Sequence, residues 1–103
     1  MKTRKQMLEE FLAQDPGDSF SRYALALELE KEGKQGEAIS RLQEVVGRDP
    51  AYVAAYYHLG RLLSQRGQID EARATYRSGL EAARSSGDQR SLSEIEEALD
   101  LLG

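Results

Sequence analysis

Residues 49–82, DPAYVAAYYHLGRLLSQRGQIDEARATYRSGLEA, decide the fold when they are laid on residues 15–48, DPGDSFSRYALALELEKEGKQGEAISRLQEVVGR. Asp15-Pro16 returns as Asp49-Pro50, Tyr23 as Tyr57, Leu25 as Leu59, Leu29 as Leu63, Gly33 as Gly67 and Glu37-Ala38 as Glu71-Ala72, each 34 residues on. Leu8 and Glu10 fall on Leu42 and Glu44 at the same offset, so the recurrence begins ahead of the first proline. A fixed period of this length marks supersecondary units that bury their apolar faces by stacking on one another.

Within each unit the apolar residues keep helical spacing. Leu25, Ala26 and Leu29 make one stripe, and Ala38, Leu42, Val45 and Val46 make a second. The next unit repeats this with Tyr56, Leu59, Gly60 and Leu63, then Ala72, Tyr76 and Leu80. Gly33 stands where the first helix must end, because glycine enters the left-handed conformation at little steric cost, and Pro50 cannot continue the second. Each unit therefore reads as an antiparallel helical hairpin. The small residues Ala26, Gly60, Ala38 and Ala72 permit the close crossing that a larger side chain would prevent.

Leu59-Gly60, Leu63, Gly67, Ala72 and Tyr76, set in a 34-residue period with Asp-Pro at the unit boundary, resemble the tetratricopeptide repeat. The resemblance covers Ser19 to about Ser86, and Lys2 to Gln14 resembles the second helix of an incomplete unit ahead of it. It implies an all-α fold, an α-α superhelix of stacked antiparallel helical hairpins forming a single domain over residues 1–103. A half-repeat helix is expected over 1–16, repeats over 17–50 and 51–86, and a C-terminal capping helix over 87–103. Three positions depart from the family's pattern. Arg22 stands where a large aromatic is usual, Gly47 is uncommon inside a second helix, and Gly79 replaces the usual alanine, each glycine costing about 1 kcal/mol relative to alanine.

Past Ser85-Ser86-Gly87-Asp88 the period breaks. Ser91-Leu92-Ser93-Glu94 has the spacing of a capping box, and Leu92, Ile95, Leu99 and Leu102 form one apolar stripe behind it. The segment is expected to cover the exposed face of the last unit, or else to dock on a partner or a second copy.

The chain has 103 residues, no cysteine, one histidine, and 14 Lys and Arg against 18 Asp and Glu, for a formal charge of −4. A disulfide framework and a thiolate metal site are excluded, and the acidic balance argues against nucleic acid as a partner. The longest apolar run, Ala51 to Tyr57, is far below the ~20 residues of a membrane-spanning helix. No export signal is read at the amino terminus, and a reducing cytoplasm is the expected location. His58 has no nucleophile beside it in a recognisable pattern, and the Glu94, Glu96, Glu97 and Asp100 cluster reads as a solvated face, so no catalytic residue, cofactor or metal is expected.

What remains is surface. The resemblance implies that the first helices line a concave groove, with groove-facing positions at Phe20, Tyr23, Ala24, Leu27 and Lys31 in one unit and Ala54, Tyr57, His58, Arg61 and Gln65 in the next. Large rigid aromatics with an arginine suit a partner peptide or helix that is apolar and acidic. Some members of the family clamp the acidic tail of heat-shock chaperones with Lys and Asn. Here Tyr23 and Tyr57 take the lysine's places and Ala24, Leu27 and His58 replace the asparagines, so that specialisation is not expected. The expected function is a non-catalytic scaffold or adaptor for another protein. The alternative is a module that self-associates into a longer solenoid, since about three repeats are usually needed for a stable array.

Overall fold

A computed structural model describes residues 1–103 as six helices: α1 (Arg4–Gln14), α2 (Ser19–Lys31), α3 (Gln35–Arg48), α4 (Val53–Gln65), α5 (Ile69–Ser86) and α6 (Gln89–Leu101). They fall into two compact units, Met1–Asp49 and Pro50–Gly103. In the first, α2 packs on both α1 and α3. In the second, α4 packs on α5, and α6 packs on α5 and α4.

The glycine stops form as the sequence indicates. Gly33 has φ +79°, its N–H donates to the Glu30 carbonyl, and the Lys34 N–H reaches back to Leu29. Gly67 repeats the arrangement with Ser64, and Gln68 with Leu63. These are paired Schellman bonds, which satisfy carbonyls that the helix end would otherwise leave open.

The helix starts add something the apolar pattern does not carry. Thr3 caps α1 in a reciprocal box with Gln6. Asp18 caps α2, one carboxylate oxygen accepting the Ser21 N–H at 3.0 Å and the other the Ser21 hydroxyl at 2.6 Å. Asp88 does the same for α6 with Ser91, at 3.1 and 2.7 Å. The expected box at Ser91 and Glu94 is thereby corrected. Asp88 is the cap, because its carboxylate takes both Ser91 donors, and Glu94 instead meets Arg90 at 3.2 Å.

Hydrogen bonds from the serine hydroxyl and then its backbone N–H hold both aspartates below the ordinary 3.8. A lowered folded pKa means stability that is present above the unfolded value and lost as pH falls from it through the folded value. The double variant Asp18→Ala, Asp88→Ala is expected to lose less melting temperature than the wild type between neutral pH and about pH 3, as read by circular dichroism. An equal loss in both would remove the caps from the account.

The first unit buries Leu8, Leu25, Ala26, Leu29, Ala38, Leu42 and Val45, with Val46 half-buried. The second centres on Val53, Tyr76, Leu80, Ala83 and Ile95, with Leu92, Leu99 and Leu102 packed around them. A side chain built on Gly60 would lie 2.3 Å from the Tyr76 ring, and one on Gly79 would lie 2.7 Å from the Tyr56 Cβ. Gly79 is therefore not merely a poor helix former. It is the close approach that lets α4 and α5 cross.

Gly47 has nothing within 4 Å of an added Cβ, so it has the cost of a mid-helix glycine without that return. Gly47→Ala is expected to raise stability by about 1 kcal/mol in denaturant unfolding. A loss of stability would show that α3 needs this glycine for a reason other than packing.

Arg22 resolves as a substitute for the family's aromatic. It is 6% exposed, and its Nη1 donates to the Pro16 carbonyl at 2.8 Å. In the second unit Tyr56 donates from its hydroxyl to the Pro50 carbonyl, also at 2.8 Å. Both pairs are 34 residues apart, so a guanidinium and a phenol make the same bond to the same turn. Nε of Arg22 lies 3.3 Å from Glu44 Oε2, close enough for charge attraction but without hydrogen-bond geometry.

Candidate protein-binding surface

Phe20, Tyr23, Leu27 and Lys31 lie on α2 within the first unit. Phe20 is 58% exposed, Lys31 is exposed and Tyr23 and Leu27 are half-buried. Lys31 Nζ stands 3.6 Å from Glu28 one turn back. Ala24, expected among the contacts, is 3% exposed and belongs to the core. It shares α2 with buried Leu25 and Ala26, and a methyl group at that depth leaves no area for a partner.

The second set lies on α4 within the second unit. Ala54 and Gln65 are exposed and Tyr57, His58 and Arg61 are half-buried. The Tyr57 and His58 rings meet edge to face with centroids 5.5 Å apart. An Arg61 Nη2–H points at His58 Nδ1 at 3.3 Å, which makes Nδ1 the acceptor and puts the ring proton on Nε2. Three neighbouring side chains are thus braced against one another, with Tyr76 of α5 below them. Burial first, and then the nearby Tyr57, push the Tyr76 hydroxyl above its ordinary pKa, and Arg61 opposes the shift. The arrangement sets an aromatic face beside a guanidinium, which suits a carboxylate next to an apolar side chain.

Met7 and Phe11 on α1 were not among the candidates, yet they are 41% and 52% exposed. In the 34-residue register Phe11 falls on Val45 and Gly79, both buried, so the repeat alone predicts burial where Phe11 is exposed.

No helix of the chain is long and apolar enough to cross a membrane. The repeated hairpin, its glycine stops and its close crossing define an α-helical repeat protein. The model of the family described as tetratricopeptide repeat matches residues 29–94. The crystal structure of a tetratricopeptide repeat domain protein from Salinibacter ruber is 42% identical, with TM-score 0.79, over 82% of this chain and 94% of that one. A protein from Bordetella parapertussis, solved in solution, is 31% identical with TM-score 0.81, over 99% of this chain and 89% of that one. The type III secretion translocator chaperone SycD of Yersinia enterocolitica, at 16% identity and TM-score 0.85 over 95% of this chain and 68% of that one, shares the fold alone. No curated protein matches the chain.

The chain belongs to the tetratricopeptide repeat family. That fold is in general a protein–protein interaction module, and the family is typically a non-catalytic scaffold.

Proposed function

We propose that the chain is an adaptor that holds a short peptide or helix of another protein, using the groove-facing positions implied by the family resemblance. On α2 these are Phe20, Tyr23, Leu27 and Lys31, and on α4 they are Ala54, Tyr57, His58, Arg61 and Gln65. The observation that carries the reading is the braced group of Tyr57, His58 and Arg61, half-exposed on a first helix. Side chains already held by neighbours lose little rotamer freedom when a partner arrives, so their contacts yield more net affinity. Apolar burial on the aromatics supplies most of the binding, and Arg61 and Lys31 set its polarity toward acidic residues.

The test pairs Tyr57→Ala with Arg61→Glu in one chain and uses Glu71→Ala, an exposed change on α5, as control. With helicity unchanged by circular dichroism, the double variant is expected to lose a protein partner that the wild type and the control both retain. A hot-spot residue typically costs about 2 kcal/mol or more when truncated and such costs do not simply add, so even if only one of the two is a hot spot affinity should fall about thirtyfold. Undiminished retention would count against this surface.

A further inference from the structure

α1 is held to the first unit by little burial and two ion pairs. Of its residues only Leu8 is buried, and Lys5 and Leu12 are half-buried. Three and four apart, these make the face that α1 lays on α2. α3, which also packs on α2, buries Ala38, Ile39, Leu42 and Val45. The ion pairs join the α1 face to the other side of the same seam. Arg4 Nε lies 3.1 Å from Glu28 Oε1, and Lys5 Nζ lies 3.2 Å from Glu32 Oε1.

Release of α1 leaves little unpaired. Lys31 stands 3.6 Å from Glu28 and Lys34 stands 3.3 Å from Glu32, so each carboxylate keeps a cation when Arg4 and Lys5 leave. α1 is capped by Thr3 with Gln6 and α2 by Asp18 with Ser21, so parting the helices breaks neither cap. Arg22 holds the Pro16 carbonyl, which keeps that turn with α2 and puts the hinge on the α1 side of Pro16. Nor is α1 clamped from α3. A cleft of about 360 Å³ separates Lys5 and Glu9 of α1 from Glu37 and Arg41 of α3, with Leu25 and Leu29 as its floor.

We infer that α1 is an ionic strap, which lifts from α2 as a unit while α2 and α3 stay folded, and that ionic strength sets how often it lifts. Salt screens exposed ion pairs, whereas it leaves the apolar contacts that join α2 to α3 in place. The lifted segment unravels, because a helix of 11 residues is marginal alone in water. What it uncovers is an apolar strip, Leu25 and Leu29, rimmed by Glu28 and Glu32 and shut while the strap is down. The strap lies in the first unit and uses none of the Tyr57 surface, so it goes beyond the proposed binding role and is tested apart from it.

Amide hydrogen exchange of the whole chain, followed by NMR at one pH and referred to intrinsic rates, tests it. The amides from Leu8 to Asp15 are expected to exchange together, at least about tenfold faster than those of Leu25, Leu29 and Leu42. Raising NaCl from about 0.01 M to about 1 M shortens the screening length from roughly 30 Å to roughly 3 Å. That change should speed α1 about fivefold, the combined effect of two exposed pairs, and alter the α2 and α3 amides less than about twofold. Arg4→Gln with Lys5→Gln should exchange fast already at low salt and lose most of the salt response. Arg90→Gln, which removes an exposed pair on α6, should behave like the wild type. Three results would each overturn the strap: α1 amides as protected as Leu25 and Leu42, protection that only grades away along α1 as in a fraying end, or exchange that neither salt nor the Arg4, Lys5 variant changes.

Discussion

Ile95→Ala is expected to lower the stability of the second unit by about 2–5 kcal/mol, the largest single effect among these substitutions. Ile95 is fully buried and packs into the cluster of Val53, Tyr76, Leu80 and Ala83, while its flanking Leu92, Leu99 and Leu102 are only partly covered. Truncation removes three methylene-sized groups from a site walled by helices α4, α5 and α6, which cannot all close in at once. The cost therefore includes a cavity as well as lost transfer energy. Denaturant unfolding followed by circular dichroism measures it. A loss below about 0.5 kcal/mol would mean that α6 rests on the unit without holding it together.

Gly60→Ala comes second, and its sign is the informative part. In an open helix the change should stabilise by about 1 kcal/mol, as expected at Gly47. At Gly60 the new methyl would sit 2.3 Å from the Tyr76 ring, a distance no packed interior accepts. Tyr76 is 3% exposed and has no room to withdraw, so α4 and α5 must separate, at a net cost of about 1–3 kcal/mol. The same substitution in a Tyr76→Ala background should lose its penalty, because the ring that it meets is gone. Additive effects of the two changes in a double-mutant cycle would show that the glycine is not there for the tyrosine.

How much of this was legible beforehand depended on whether the relevant force is periodic. The hairpins, the stops at Gly33 and Gly67 and the core stripe follow from spacing alone, since burial repeats with the helix turn. The small residue at Gly60 was read correctly as a close crossing. The start of α6 was misplaced because Asp88-x-x-Ser91 and Ser91-x-x-Glu94 both look like caps, and only geometry shows which oxygen reaches which N–H. Arg22 stands in the sequence only as a departure from the family's usual aromatic. Its equivalence to Tyr56 depends on the length of a side chain reaching the Pro16 carbonyl, which no hydrophobic pattern records.

For the candidate surface, the aromatic and charged positions on α2 and α4 could be named from the family's register. Ala24 could not be separated from them, because α2 packs on both α1 and α3 and its buried arc is wider than one stripe. The bracing of Tyr57, His58 and Arg61 was equally invisible, since residues at these spacings can face one another or splay apart. The exposure of Phe11 is not legible in the sequence, because an exposed phenylalanine has the same signature as a buried one and its register equivalents, Val45 and Gly79, are both buried.

The most direct test of the account is a backbone amide map of the chain, recorded by NMR with and without a partner that it captures. Binding at the first helices predicts the largest shifts around Phe20, Tyr23, Leu27 and Lys31 and around Ala54, Tyr57, His58, Arg61 and Gln65, with little change along α3 and α5. Shifts gathered on α3 and α5, with α2 and α4 unmoved, would contradict it.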